Sequence, residues 1–120
     1  MDRNELIAYA ENRFGAEAEY LWESVPNAFV FRHRDNRKWY AVVMDVPRRR
    51  LGLEGDEPVD VLDLKCGPIL SGSYLGRPGI LPAYHMNKNH WISLLLDGSA
   101  AREDILELLE ISYDLTGTVK

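Results

Sequence analysis

Within "NKNHWISLLLDG", Asn87 to Gly98, a lysine, a histidine and a tryptophan (Lys88, His90, Trp91) stand together at the mouth of an apolar run. Such a trio offers a metal ligand or general base, a cation, and a stacking surface. For metal chemistry the candidate pair is His85 with His90. Their five-residue separation suits neither adjacent turns of a helix nor alternate positions on one strand face. No third ligand is near in sequence, and Asp97 and Cys66 reach the pair only through the fold, so no metal site is expected. Cys66 with His90 would make a nucleophile and base. A lone cysteine beside Leu64 and Gly67 at a strand end reads instead as an inert, buried, small side chain. The carboxylate pairs Asp60 with Asp63 and Glu103 with Asp104 fall on expected solvent faces and show no acid–base asymmetry. There is no phosphate-binding loop, dinucleotide fingerprint or nucleophile elbow. The chain therefore reads as a non-enzyme with no cofactor.

Charge is the second chemical signal. Between Arg32 and Arg50 lie seven basic residues (Arg32, Arg34, Arg37, Lys38, Arg48, Arg49, Arg50) against Asp35 and Asp45, a local charge of +5. The rest of the chain carries seven basic against seventeen acidic residues, or −10, for a net −5. An acidic balance argues against indiscriminate polyanion binding, yet a basic edge on an acidic body steers anions to one place. The same side chains also suit solvent-facing and edge strands, where they deter aggregation.

The elements that position these residues follow from patterning. The 120 residues, 46% hydrophobic and 28% charged, fit one compact domain, 1–120, able to bury a core without staples. A single cysteine, no apolar run of membrane-spanning length and no signal-like N-terminus lead to the expectation of a cytoplasmic protein with no membrane partner. Asp2 with Glu5 forms a capping-box pattern, and Leu6, Ile7, Ala10 and Phe14 recur at helical spacing until Gly15, predicting a helix over 3–14. "EYLWES" predicts a short strand. "NAFVFRHR" and "KWYAVVMDV" predict a hairpin with a tight "DN" turn, Tyr40, Val42 and Met44 on one face and Trp39, Ala41, Val43 and Asp45 on the other. "RRRLGL" is a further strand candidate, "EGDEP" an acidic loop, and "VDVLDLKC" a strand of period two. Pro68 opens a short helix whose apolar side is Ile69, Leu70 and Leu75. "ILPAYHM" leads, extended, into the opening stretch, and a last helix capped by Ser99 carries Ile105, Leu108, Leu109 and Ser112 on one stripe up to Gly117. Consecutive strands between terminal helices predict an α+β fold: a two-layer sandwich with a mainly antiparallel sheet.

On this frame, an extended Lys88–Leu96 places Lys88, His90, Ile92, Leu94 and Leu96 on the helix-covered face and Asn89, Trp91, Ser93 and Leu95 on the other. His90 then caps the core edge and Lys88 reaches to water. Trp91, with Trp39 or Tyr40 from a neighbouring strand, would form an aromatic platform beside the hairpin arginines. Aromatic surface interleaved with arginine serves base stacking and phosphate contact, and equally a protein interface.

"DLKCGP", "GILPAYHMNKNHWISLLLDG" and the terminal "EISYDL" together resemble the MmcQ/YjbR family of small bacterial proteins, over nearly the whole chain. Lys65, Cys66, Pro68, Asn87, Lys88, His90, Trp91, Ser112 and Tyr113 fall on the matching motif positions, while Gly67 stands where the family often has an acidic residue. The resemblance implies a frataxin-like (CyaY-like) α+β sandwich and a double-wing DNA-binding role. A frataxin-like shape also suggests iron, but the first helix sets Asp2, Glu5 and Glu11 against Arg3 and Arg13, too sparse an acidic ridge for that.

The sequence thus predicts a monomeric, non-enzymatic protein that contacts DNA through Arg32, Arg34, Arg37 and Lys38, with Arg48, Arg49 and Arg50 assisting and Trp39 stacking. A protein-interaction module using the open sheet face is the alternative, and a frataxin-like metal protein the third reading.

Overall fold

The computed structural model describes residues 1–118. In chain order it contains α1 (Arg3–Phe14), β1 (Phe29–Arg32), β2 (Trp39–Pro47), a 3-10 turn (Arg48–Leu51), β3 (Pro58–Lys65), α2 (Gly67–Tyr74), β4 (Ile80–Pro82), β5 (Trp91–Leu95) and α3 (Arg102–Thr116). The strands form one sheet in the order β1-β2-β3-β5-β4, antiparallel at every junction. This is the α+β arrangement that the patterning predicts.

The helix boundaries follow from local chemistry. Asp2 accepts from the Glu5 N–H at 2.9 Å, the Glu5 carboxylate accepts from the Asp2 N–H at 3.2 Å, and Gly15 ends α1 at φ 67°. One sheet face buries Phe29, Phe31, Val43, Leu62, Leu64, Ile92 and Leu94 against Leu6 and Ala10 of α1 and Ile105, Leu108 and Leu109 of α3. Each such aliphatic or aromatic side chain contributes roughly 1.5–3 kcal/mol by leaving water. On the opposite face a second cluster of Val46, Val59, Val61 and Leu95 is covered by Leu51 and Leu53 from the 3-10 turn and its loop, and by Tyr84. That cover lies at one end of the sheet.

Several local expectations are corrected. "EYLWES" is not a strand: only Glu19 pairs, bridging Val30 through two backbone hydrogen bonds, and since Tyr20 and Leu21 stay exposed, longer pairing would bury little. The hairpin turn is a four-residue loop, Arg34 to Arg37, closed by His33 N–H to Lys38 C=O at 3.0 Å, with Arg37 left-handed at φ 65°. Asn36 sets its shape, accepting from the Lys38 N–H and donating to Thr116 C=O of α3 at 2.8 Å. "RRRLGL" coils into the 3-10 turn because Pro47 and Pro58 pair at the end of the ladder and neither has an N–H to continue it. Ile69 of α2 is 85% exposed and Leu75 is also exposed; the helix buries Ser71 and Tyr74 instead. Ser99 bonds Asp97 rather than capping α3, whose N-cap is Ala101. Asn87–His90 is a turn, not strand, so Lys88 and His90 are exposed.

Candidate functional site

The start of β2 carries a bulge: Phe31 pairs with Ala41 but Arg32 pairs with Trp39, leaving Tyr40 as the extra residue. Tyr40 therefore joins Ala41 and Val43 in the helix-side core, packed against Phe14, Phe31 and Tyr113, and not Val42 and Met44 as strict alternation predicts. Trp39 turns to the face that the helices leave uncovered, edge-on to Trp22 at 5.7 Å. The bulge also interrupts the β2–β3 ladder after the pair Ala41 and Leu64. Ser112 of α3 fills the gap: its hydroxyl accepts from the Lys65 N–H at 3.0 Å and donates to Tyr40 C=O at 2.6 Å.

The basic residues divide sharply. At the hairpin end, Arg32 makes a two-point ion pair with Glu19 at 2.7 Å, which holds the Glu19 carboxyl below its ordinary range. Arg34 donates to Gly15 C=O at 2.9 Å, closing the end of α1. Arg37 and Lys38 are exposed, and neither forms an ion pair among the described residues. At the far end of β2, Arg48 lies between Asp97 (3.2 Å) and Glu57 (4.0 Å), and Arg49 faces Asp56 at 3.5 Å. Arg50 is exposed, and the hollow beside Arg48 is lined by Asp45, Asp60 and Asp97. Nine residues of strand separate the two groups, about 26 Å at the usual rise. The +5 segment is thus two sites, several screening lengths apart.

At the hairpin end a shallow groove of about 380 Å³ is lined by Arg37, Lys38, Trp39, Lys65, Trp91 and Thr116. Lys65 and Trp91 are direct cross-strand partners on β3 and β5, and Trp39 comes from β2. The groove unites part of the basic hairpin with the aromatic platform.

The remaining motif residues hold this end together. Cys66 and Gly67 both donate backbone N–H groups to His90 C=O, at 2.9 and 3.2 Å, tying the start of α2 to the start of β5. Asn87 C=O accepts from the N–H groups of His90 and Trp91, and its side chain accepts from Asn89 N–H. Pro68 occupies the first turn of α2. Cys66 is buried, and burial pushes its thiol pKa up, the reverse of what a nucleophile requires. Tyr113 stacks on Phe14 with centroids 4.1 Å apart.

Asp63, placed on a solvent face by alternation, is fully buried. It accepts from the Ser93 hydroxyl, which in turn accepts from Tyr84 N–H at 2.9 Å, while its second oxygen, Oδ2, has no partner among the described residues. Burial drives its pKa up to about 7, against smaller opposing pulls from the Ser93 bond and the Lys88 charge. Its signal in the sequence is a polar residue in register with Val59 and Val61, on a face that the second cluster covers. His33 was also silent: it is buried, with Nε2 2.9 Å from the Thr116 hydroxyl. Among the described residues no group of three His, Cys, Asp or Glu is placed to hold a metal ion, and no helix is long and apolar enough to cross a membrane.

Comparison with known proteins agrees with this architecture. The chain is 38% identical over 116 residues to the uncharacterised protein YyaQ of Bacillus subtilis, covering 97% of this chain and 98% of that one. A crystal structure of a protein from Pseudomonas syringae superposes with a TM-score of 0.94 at 48% identity, covering 98% of this chain and all of that one. Protein DR2400 of Deinococcus radiodurans, at 24% identity and a TM-score of 0.70 over 95% of this chain and 77% of its own, shares the fold. The YjbR family model matches residues 13–115, and the chain is a member of that family.

Proposed function

We propose that this protein is a non-enzymatic DNA-binding protein that engages the strand at the hairpin end of the sheet. Arg37, Lys38 and Lys65 contact phosphates there, and Trp39 and Trp91 offer stacking surfaces to bases. The observation that carries the reading is the groove in which five such side chains, from the hairpin loop and three strands, converge. Among the described residues Arg37, Lys38 and Lys65 form no ion pair, unlike Arg48 and Arg49.

The test is fluorescence anisotropy of labelled single- and double-stranded DNA across a salt series. About three phosphate contacts predict a log–log slope between about −2 and −3. Replacing Arg37, Lys38 and Lys65 by alanine is expected to weaken binding by about tenfold to a hundredfold, whereas the triple alanine variant at Arg48, Arg49 and Arg50 stays within about twofold. No binding at low salt, or equal losses in both variants, would overturn the proposal.

One observation favours a second reading. Tyr20, Leu21 and Val25 are exposed apolar residues on the segment that also carries Trp22, next to Trp39. Such a strip is what a protein partner would cover. Loss of a captured protein on Leu21→Ser, with DNA affinity unchanged, would identify that role.

A further inference from the structure

On the other side of the hairpin loop, where α1 and α3 both end, lies a cleft of about 720 Å³, within the size range of small-molecule sites. Its inner wall is aromatic. Phe14 and Tyr113 are stacked with planes 13° apart, Tyr40 stands edge-on to both, and His33 packs against Tyr40 and Tyr113 at 4.9 and 4.5 Å. Tyr40 is only 2% exposed, lines the cleft, and its hydroxyl has no hydrogen-bond partner among the described residues. Its buried polar neighbours are satisfied: Ser112 by Tyr40 and Lys65 backbone, His33 by Thr116. The hydroxyl is not one of the fully buried atoms left without a partner, so it opens to the cleft, where water or a ligand acceptor can complete it.

The rim decides the ligand class. Arg34 keeps most of its donors after bonding Gly15, and Arg37 forms no ion pair among the described residues, but Glu17, Asp35 and Asp114 stand opposite them and the C-terminal ends of α1 and α3 add partial negative charge. A bare anion would meet three carboxylates, and a bare cation two guanidinium groups. A flat neutral ring with donors and acceptors on its edges matches both an aromatic wall and a rim of mixed sign.

We propose that this cleft binds a nucleobase, its ring against the Phe14, Tyr113 and Tyr40 wall and an edge acceptor on the Tyr40 hydroxyl. The base is either that of a free nucleotide or one unstacked from a bound strand. This proposal stands apart from the groove, which lies across the hairpin loop and shares only Arg37 with the cleft.

The experiment is a ¹⁵N-resolved NMR titration of the full chain with the four nucleoside monophosphates, ribose 5-phosphate and a short oligonucleotide. At least one monophosphate is expected to shift the amides of Gly15, His33, Arg34 and Gly117, with a Kd of about 1 mM or tighter, while ribose 5-phosphate leaves them in place. Tyr40→Phe, which keeps the ring and deletes the unpaired hydroxyl, should weaken that binding about fivefold with the rest of the spectrum unchanged. If the oligonucleotide shifts the same amides and the monophosphate competes with it, the base comes from a strand; if only the monophosphate acts, it is a free nucleotide. No shift with any nucleotide, equal shifts with ribose 5-phosphate, or an unaffected Tyr40→Phe would overturn the proposal. Loss of oligonucleotide binding at the groove alone would not touch it, because the cleft amides report separately.

Discussion

The two ends of β2 carry similar numbers of basic residues and have opposite electrostatic fates. At the 3-10 end, Arg48 and Arg49 are held by Asp97, Glu57 and Asp56, and loops cover the sheet face beneath Val46, Val59 and Leu95. At the hairpin end, Arg37 and Lys38 project beside Trp39, Lys65 and Trp91 in a groove bordered by Thr116 at the end of α3. A run of arginines in a sequence becomes a binding surface only where the fold withholds acidic neighbours. Carboxylates hold Arg48 and Arg49 at one end, whereas at the other Glu19 holds Arg32 and, among the described residues, Arg37 and Lys38 form no ion pair.

This contrast can be broken or sharpened by substitution. The largest effect is expected between the two ends, at Asp63, which is buried without an ion pair among the described residues and whose pKa burial pushes up to about 7. Because its folded pKa of about 7 lies above its ordinary 3.8, the folded state binds the proton more tightly than the unfolded chain. Stability is therefore fully retained below about pH 4, falls as pH rises from about 4 to 7, and stays reduced above that. In Asp63→Asn this slope should vanish, so that the variant gains about 2–4 kcal/mol on wild type between pH 4 and pH 8 in denaturant titrations. An equal stability difference at both pH values would mean that Asp63 stays ionised when folded.

Next in size is Ser112→Ala. It strands Lys65 N–H and Tyr40 C=O at the bulge and is expected to cost about 1–3 kcal/mol of stability, read as a lowered denaturation midpoint. Since Lys65 lines the groove, DNA affinity should fall with it; unchanged affinity would mean that the groove needs no support from α3. The smallest effect belongs to Asp97→Ala, which removes the nearer of the two carboxylates paired with Arg48 at the covered end and should cost at most about 1 kcal/mol. DNA affinity is expected to remain within about twofold of wild type. A larger gain would show that a freed arginine suffices without the aromatic groove.

Legibility in the sequence was uneven for physical reasons. The α1 boundaries, the β3 alternation and the α3 stripe were readable because capping chemistry and apolar period are local. Tyr40 was misplaced because one extra residue in β2 reverses the faces, and no residue type announces a bulge. Asp63 was misplaced because alternation says which residues share a face but not whether a loop will cover it. The groove was half legible: Trp39 and Trp91 were anticipated on the open face, but Lys65 entered only through its register with Trp91. The cleft was not legible, since Phe14, His33, Tyr40 and Tyr113 come from two helix ends and a hairpin.

What the sequence determined by itself is the placing of the three helices, the hairpin and β3, the α+β class and the concentration of positive charge between Arg32 and Arg50, because these depend on short-range pattern and composition. What only the tertiary structure decided is which of those charges remain unpaired and which aromatic rings stand beside them. Ion pairing and burial act through space, between residues such as Arg48 and Asp97 that lie far apart in the chain and meet only when the sheet is formed.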